Sequence, residues 1–309
     1  MNTPVLFLIF NRPDTTTQVF EAIRRARPPR LYIAADGARA GRLDEAERCA
    51  EARRIVTQVD WPCEVKTLFR EANLGCLKAV SGGINWFFEN EEQGIILEDD
   101  CLPDPSFFGY CDELLNRYSD DARVMCITGD NFVTEGGGIA IEQSYYFSKF
   151  NHIWGWATWR RAWTHYDVGM KAWNTELGEQ VLKGVFPDNA PLRRFWIDCF
   201  SKVAAGEIDT WDYQWNFTCW RLGGLTCAPA VNLISNVGFG AGATHTVDAE
   251  SKLANLQMHS LSQPLVHPEQ VQNNVAADNW SGANLFPLKR YSARRVLGRR
   301  LKALLLRGH

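Results

Sequence analysis

The feature that most constrains this chain is the alternation in its first 130 residues between short apolar runs and longer stretches with three- and four-residue apolar spacing. The runs Val5–Phe10, Leu31–Ala35, Val65–Phe69, Gly94–Leu97 and Val124–Thr128 have the near-continuous hydrophobicity of strands buried on both faces. Between them, residues near Thr15–Arg27, Leu43–Val59, Leu77–Glu89 and Pro105–Tyr118 have helical periodicity. This order predicts an α/β fold with a mostly parallel sheet flanked by helices. Right-handed crossovers gather the strand C-termini on one edge, where ligands of such sheets bind. That edge should collect Asn11-Arg12, Asp36-Gly37, the Arg70–Cys76 loop with Asn73, and Glu98-Asp99-Asp100, since each follows a predicted strand.

Beyond residue 130 the alternation stops. Gly136-Gly137-Gly138 leads into a tryptophan-rich stretch that includes Trp154, Trp156, Trp159, Trp163 and Trp173. Helical patterns follow near 191–205 and 211–221, then apolar runs at Leu225–Ala228 and Val231–Ile234. No repeat and no long linker separates independent domains. The division expected is a first half at 1–130, a second half at 131–250 with its own α/β character, and a C-terminal extension at 251–309.

The chain has 309 residues, nine cysteines without a C-x-x-C pair, and only six apolar residues before Asn11-Arg12-Pro13 at its N-terminus. A disulfide scaffold, a zinc site and a signal peptide are therefore not expected, and a reducing, cytoplasmic setting is. After Asp278 the chain carries eight cations and no acid; taking these from the net charge of −3 leaves −11 on residues 1–288. An acidic body speaks against a nucleic-acid surface. In residues 289–307 the cations alternate with Val296, Leu297, Leu301, Leu304 and Leu305 at helical spacing. That pattern suits peripheral contact with the inner membrane face or packing on the protein's own core.

The strongest chemical signal is Ile95-Ile96-Leu97-Glu98-Asp99-Asp100, three carboxylates at the end of a buried strand. Like charges so placed call for a counter-cation, and hard divalent ions such as Mg²⁺ or Mn²⁺ bind through one or two carboxylates while keeping positions open for phosphate oxygens. An acidic turn capping the helix from Pro105 is the structural alternative. Arg12 offers a fork of donors in a strand-to-helix turn, and Asp36 an acceptor for a base or ribose hydroxyl. Glu207-Ile208-Asp209-Thr210-Trp211-Asp212-Tyr213 combines acids with aromatic faces on which sugars pack, although Asp209 and Asp212 are equally suited to helix starts. The segment Ser235–His245, with Gly238, Gly240 and Gly242, fits a loop that cradles a diphosphate through backbone N–H groups.

The order FNRPDTT, AADG, REANLGC, IILEDDCLPDPSFF and VMCITGDN resembles the GT-A fold nucleotide-diphospho-sugar transferases. It is most similar to the N-acetylglucosaminyltransferase I type and to bacterial family-two-like enzymes. The match is good over residues 4–131 and looser over 150–246. It implies a GT-A fold, a UDP-linked sugar donor, and an inverting transfer assisted by Mn²⁺ or Mg²⁺ to a glycan or lipid-linked hydroxyl acceptor, with residues 1–130 as the donor-binding half and 131–250 as the acceptor and catalytic half. It also implies residue roles. Arg12 and Asp36, with Asn11 and Asn73 beside them, would hold base and ribose; Glu98 and Asp99 would contact ribose and sugar hydroxyls; Asp100 would bind the metal. Asp212 would be the catalytic base with Asp209 its fallback, Gly240 and Gly242 would close over the donor, and His245 would reach phosphate or metal. Two other readings compete. A nucleotidyltransferase of related fold would usually carry a glycine-rich loop after the first strand, where this chain has Asn11-Arg12-Pro13-Asp14. A non-catalytic carbohydrate-binding module would use the tryptophan-rich half.

Overall fold

The computed structural model describes residues 1–239 and 255–291. Its centre is an eight-stranded sheet in the order β3-β2-β1-β4-β8-β6-β9-β7. The strands are β1 (Val5–Ile9), β2 (Arg30–Ala35), β3 (Glu64–Phe69), β4 (Gln93–Glu98), β6 (Val124–Thr128), β7 (Tyr145–Ser148), β8 (Trp156–Trp159) and β9 (Leu225–Pro229). β1 pairs in parallel with β2 and β4, β2 with β3, and β6 with β9. β8 runs antiparallel to both β4 and β6, and β7 antiparallel to β9. Six strands therefore point one way and two the other, the mixed but mostly parallel α/β sheet expected from the sequence.

β1 shows why such a strand reads as one apolar run. Val5, Phe7 and Ile9 join a cluster with Val19, Phe20 and Ile23 of α1 (Pro13–Ala26) and Ala52 and Val56 of α2 (Leu43–Val56). Leu6 and Leu8 join a second cluster with Ile84 and Phe87 of α3 (Gly75–Asn90). Successive side chains enter opposite cores, so both must be hydrophobic. α4 (Pro105–Arg117) starts with proline at its first position and Asp104 as its cap, the Asp104 carboxylate accepting from Ser106 N at 2.8 Å.

The first 130 residues fold with boundaries within a few residues of those expected, and residues beyond differ more. β7 and β8 have no counterpart among the expected elements, nor have short α5 (Val133–Gly137) and α6 (Arg160–Trp163), α7 (Thr175–Val185) and α10 (Val275–Asn284). α8 (Ala190–Ala204) and α9 (Asp212–Arg221) lie where the periodicity put them. The apolar run at Val231–Ile234 leads into β10 (Ile234–Asn236), which pairs antiparallel with β5 (Cys101–Pro103). The chain that leads to the glycine-rich segment thus leaves directly from the acidic triplet, with Val237 N bonded to Asp100 O at 2.8 Å.

The tryptophans divide by burial. Trp156, Trp163, Trp211 and Trp215 form one aromatic cluster under the sheet, with Trp156 and Trp211 stacked at 5.5 Å. Trp154 is only half-buried. All nine cysteines are free. Tyr291, the last described residue, packs on α8, its hydroxyl donating to Asp198 Oδ2 at 2.6 Å. The basic stretch beyond it lies outside the described residues. Among the described residues no helix is long and apolar enough to cross a membrane.

Candidate active site

The C-terminal ends of β1, β2, β3 and β4 open into a cavity of about 750 Å³. Every candidate residue that falls among those described lines it: Asn11, Arg12, Asp36 and Asn73, then Glu98, Asp99 and Asp100, and across from them Asp209 and Asp212. Gly240, Gly242 and His245 lie outside the described residues.

On the strand side each carboxylate has fixed partners. Asp36 accepts from Asn73 Nδ2 at 2.9 Å and from Leu74 N at 3.0 Å, so the end of β2 holds the loop after β3 in place. Burial pushes the Asp36 carboxyl up, against the lowering effect of these bonds. Asp99 accepts from Phe10 N at 2.9 Å. Burial raises the Asp99 carboxyl above the usual carboxylate range, with Asp100 adding to the rise and Arg12 opposing it. Burial likewise lifts Glu98 to about 8, reinforced by Asp100, Asp99 and Asp212. The repulsion expected within the triplet is therefore present in the fold.

Part of the counter-charge comes from Arg12. Its Nη1 lies 2.6 Å from Asp100 Oδ2, with both side chains mostly buried. The sequence reading placed Arg12 toward the nucleotide base; its contact in this structure is with the third acid of the triplet. Asp100 Oδ1 accepts a contact from the Cys101 thiol at 3.4 Å. Gly238 lies over the pair: a Cβ there would collide with Asp100 Oδ2 and come within 2.7 Å of Arg12 Nη1. Glycine is needed for the close approach.

Among the described residues no three His, Cys, Asp or Glu side chains form a ready metal cage. A hard ion such as Mg²⁺ takes one or two carboxylates and fills its other positions with water and phosphate oxygens. Of the Asp100 oxygens, Oδ2 meets Arg12 and Oδ1 the Cys101 thiol.

The far wall comes from the segment before α9. Asp209 uses both oxygens on the start of α3, accepting from Cys76 N and Leu77 N at 3.0 Å each. It therefore caps a helix of the other half rather than its own. Gly75 is left-handed at φ 79° and lies so near that a Cβ would stand 2.7 Å from Asp209 Oδ2. Asp212 opens α9 and accepts a short hydrogen bond from the Thr210 hydroxyl.

One contributor, Arg39, has no signal in the sequence. Arg39 lines the cavity and bonds to Glu45, a fully buried acid in the first turn of α2. Asn11 Nδ2 donates to the same carboxylate at 3.0 Å, and Arg39 lies over the Phe10 ring at 5.9 Å. The hydrogen bonds from Arg39 lead in holding Glu45 down at about 2. In the sequence Glu45 is an ordinary first-turn acid of a helix, so nothing there marks this hub. Trp154 and Asn236 line the cavity as well.

No protein-family model matches the chain, and no curated protein does. Solved structures resemble parts of it. HddC from Yersinia pseudotuberculosis aligns at 9% identity over 52% of this chain and 77% of that one, with a TM-score of 0.32. UDP-glucose pyrophosphorylase, in complex with UDP-glucose, aligns at 13% identity over 48% of this chain and 62% of that one, with a TM-score of 0.27. At these scores the likenesses define neither the family nor the activity of this chain.

Proposed function

We propose that this chain is an inverting glycosyltransferase of GT-A type that moves a sugar from a nucleoside-diphosphate sugar, UDP-linked, to a hydroxyl acceptor with the help of Mn²⁺ or Mg²⁺. The observation that carries the reading is the convergence of the acidic triplet, Arg12 and Asp212 on one cavity at the C-terminal edge of a parallel sheet. Such an edge is where phosphorylated ligands bind in these folds.

The wall formed by Asn11, Asp36, Arg39 and Asn73 supplies donors and acceptors for base and ribose. Asp100 would hold the divalent ion, which when bound neutralises charge on the departing diphosphate. Arg12, bonded to Asp100, keeps a second positive group at the same place. Glu98 and Asp99 receive sugar and ribose hydroxyls. From the far wall, Asp212 takes the acceptor's proton as its oxygen attacks the anomeric carbon. The bond from that carbon to the diphosphate oxygen breaks, and the electron pair leaves with the diphosphate. Inversion needs a single base of this kind. Asp209, engaged at the start of α3, is the weaker candidate.

The test is a panel of nucleotide-sugars incubated with Mn²⁺, followed by detection of released nucleoside diphosphate. Release that requires the metal supports the transferase. Formation of pyrophosphate from a nucleoside triphosphate and a sugar phosphate would mean a nucleotidyltransferase, and saturable sugar binding without any nucleotide affinity would mean a binding module.

A further inference from the structure

Two residues of the cavity wall are held by an acid that does not itself line the cavity. Glu45 stands in the first turn of α2 with no exposed side-chain surface. Its carboxylate accepts from Arg39 N at 2.8 Å, from Arg39 Nε at 3.0 Å, from Arg39 Nη2 through a short contact, and from Asn11 Nδ2 at 3.0 Å. The bond to Arg39 N is the ordinary work of an acid at a helix start, which satisfies main-chain N–H groups just before the helix. That work does not account for the side-chain bonds, one of which reaches Asn11 beyond β1, 34 residues away.

The acid decides how both partners present themselves. A carboxylate only accepts, so Asn11 turns Nδ2 toward it and Oδ1 away. Arg39 engages Nε and Nη2 with Glu45, its guanidinium over the Phe10 ring, and keeps Nη1. Among the described residues neither Asn11 Oδ1 nor Arg39 Nη1 has a hydrogen-bond partner. Arg39 is exposed, Asn11 is partly so, and both line the cavity, which makes these atoms available to a ligand. They are also neighbours, because Asn11 Nδ2 and Arg39 Nη2 share the single oxygen Oε2 of Glu45.

The chemistry of that ligand follows. The hydrogen bonds from Arg39 keep Glu45 ionised at neutral pH, and its charge cancels that of the guanidinium. What faces the cavity is one donor beside one acceptor with no net charge. A phosphate brings acceptors alone, which repel Asn11 Oδ1, and it gains little from a compensated guanidinium. An ammonium brings donors alone. Hydroxyls and the edge of a nucleobase bring both. Sheet order supplies the direction: β2, which precedes Arg39, and β4, which precedes the acidic triplet, flank β1. Their ends lie two strand spacings apart, about 10 Å. A nucleotide laid across the end of β1 thus sets its diphosphate near Arg12 and its uncharged part near Arg39.

We propose that Glu45 is a positioning residue for the donor: it holds Arg39 Nη1 and Asn11 Oδ1 as a neutral pair that binds the nucleoside part of the nucleotide-sugar. This rests on the transferase reading for the identity of the ligand.

Calorimetry on the full chain with UDP and with inorganic pyrophosphate, each in the presence of Mn²⁺, tests it. Glu45→Gln should weaken UDP about tenfold, the loss of one well-placed hydrogen-bonding group, and change pyrophosphate by less than about twofold. A merely structural role would weaken both alike. Arg39→Gln should weaken UDP by a similar factor, and adding Glu45→Gln to it should cost less than about threefold more, because the acid acts largely through that guanidinium. Should Glu45→Gln fail to fold, Arg39→Lys, an exposed change that keeps the charge and removes the fork, should weaken UDP about tenfold. Unchanged UDP affinity in the folded variant, equal losses for UDP and pyrophosphate, or fully additive losses in the double variant overturn the proposal and, with UDP bound by the parent, leave the transferase reading in place. A parent chain that binds no UDP overturns both.

Discussion

The two walls of the main cavity are built on different principles. The strand wall is a row of carboxylates held by nearby main chain and by Arg12: Asp36 by Leu74 N, Asp99 by Phe10 N, Asp100 by the guanidinium. The far wall is one short segment, Glu207–Tyr213, in which two acids three residues apart have separate attachments. Asp209 reaches more than 130 residues back in the chain to cap α3, while Asp212 accepts from the Thr210 hydroxyl beside it. The first wall is thus preorganised within its own half, whereas one acid of the second is bonded across the cavity and the other takes part in the start of its own helix. Preorganised groups cost no rearrangement when charge develops, which suits a donor site.

If that contrast is right, the largest effect belongs to the far wall. Asp212→Asn should lower transfer by about 10³-fold with donor affinity unchanged, because a neutral amide cannot take the proton. Steady-state kinetics beside calorimetry with UDP would read both, and full activity would break the distinction between the walls. Next is Asp100→Ala, expected to cost about 10²-fold in Mn²⁺-dependent nucleotide binding while metal-free binding changes little. Metal-independent loss would mean that Asp100 serves mainly to hold Arg12.

A third experiment examines the buried hub of the strand wall by pH. The Glu45 carboxyl is lowered from 4.5 to about 2 in the folded chain. Its stabilisation is therefore complete above pH 4.5 and is lost as pH falls from there toward 2. With Arg39 half exposed, that contribution is about 2 kcal/mol. Urea unfolding across this window should show Glu45→Gln less sensitive to acid than the parent; equal slopes would mean that the Arg39 contact is marginal. The smallest effect should come from Asp209→Ala, which removes a helix cap worth about 1 kcal/mol of stability and leaves kcat within a few-fold of the parent. A loss of kcat as deep as that of Asp212→Asn would reverse the roles of the two acids.

How much of this was legible in the chain differs between the same regions. The parallel strands from β1 to β4 and the helices between them follow from local periodicity, because a strand buried on both faces has to be apolar at successive positions, as Val5–Ile9 is. The polar residues that follow those strands then had to share an edge. β8 gave no comparable signal. Trp156 to Trp159 belong to a tryptophan-rich run that fits core, site or strand equally, and β8 occupies the sheet between β4 and β6 only because it pairs antiparallel with both.

The sequence by itself determined the α/β architecture, the strand ends and the grouping of Asn11, Arg12, Asp36, Asn73 and the acidic triplet, since each depends on burial patterns a few residues long. Tertiary structure alone decided that Arg12 pairs with Asp100, that Asp209 caps α3, that Glu45 anchors Asn11 and Arg39, and which tryptophans are core. Except for the nearby Arg39, those outcomes join residues tens to more than a hundred positions apart. Such contacts are selected by geometry and the cost of leaving charge unpaired in the interior, and neither is written in local spacing.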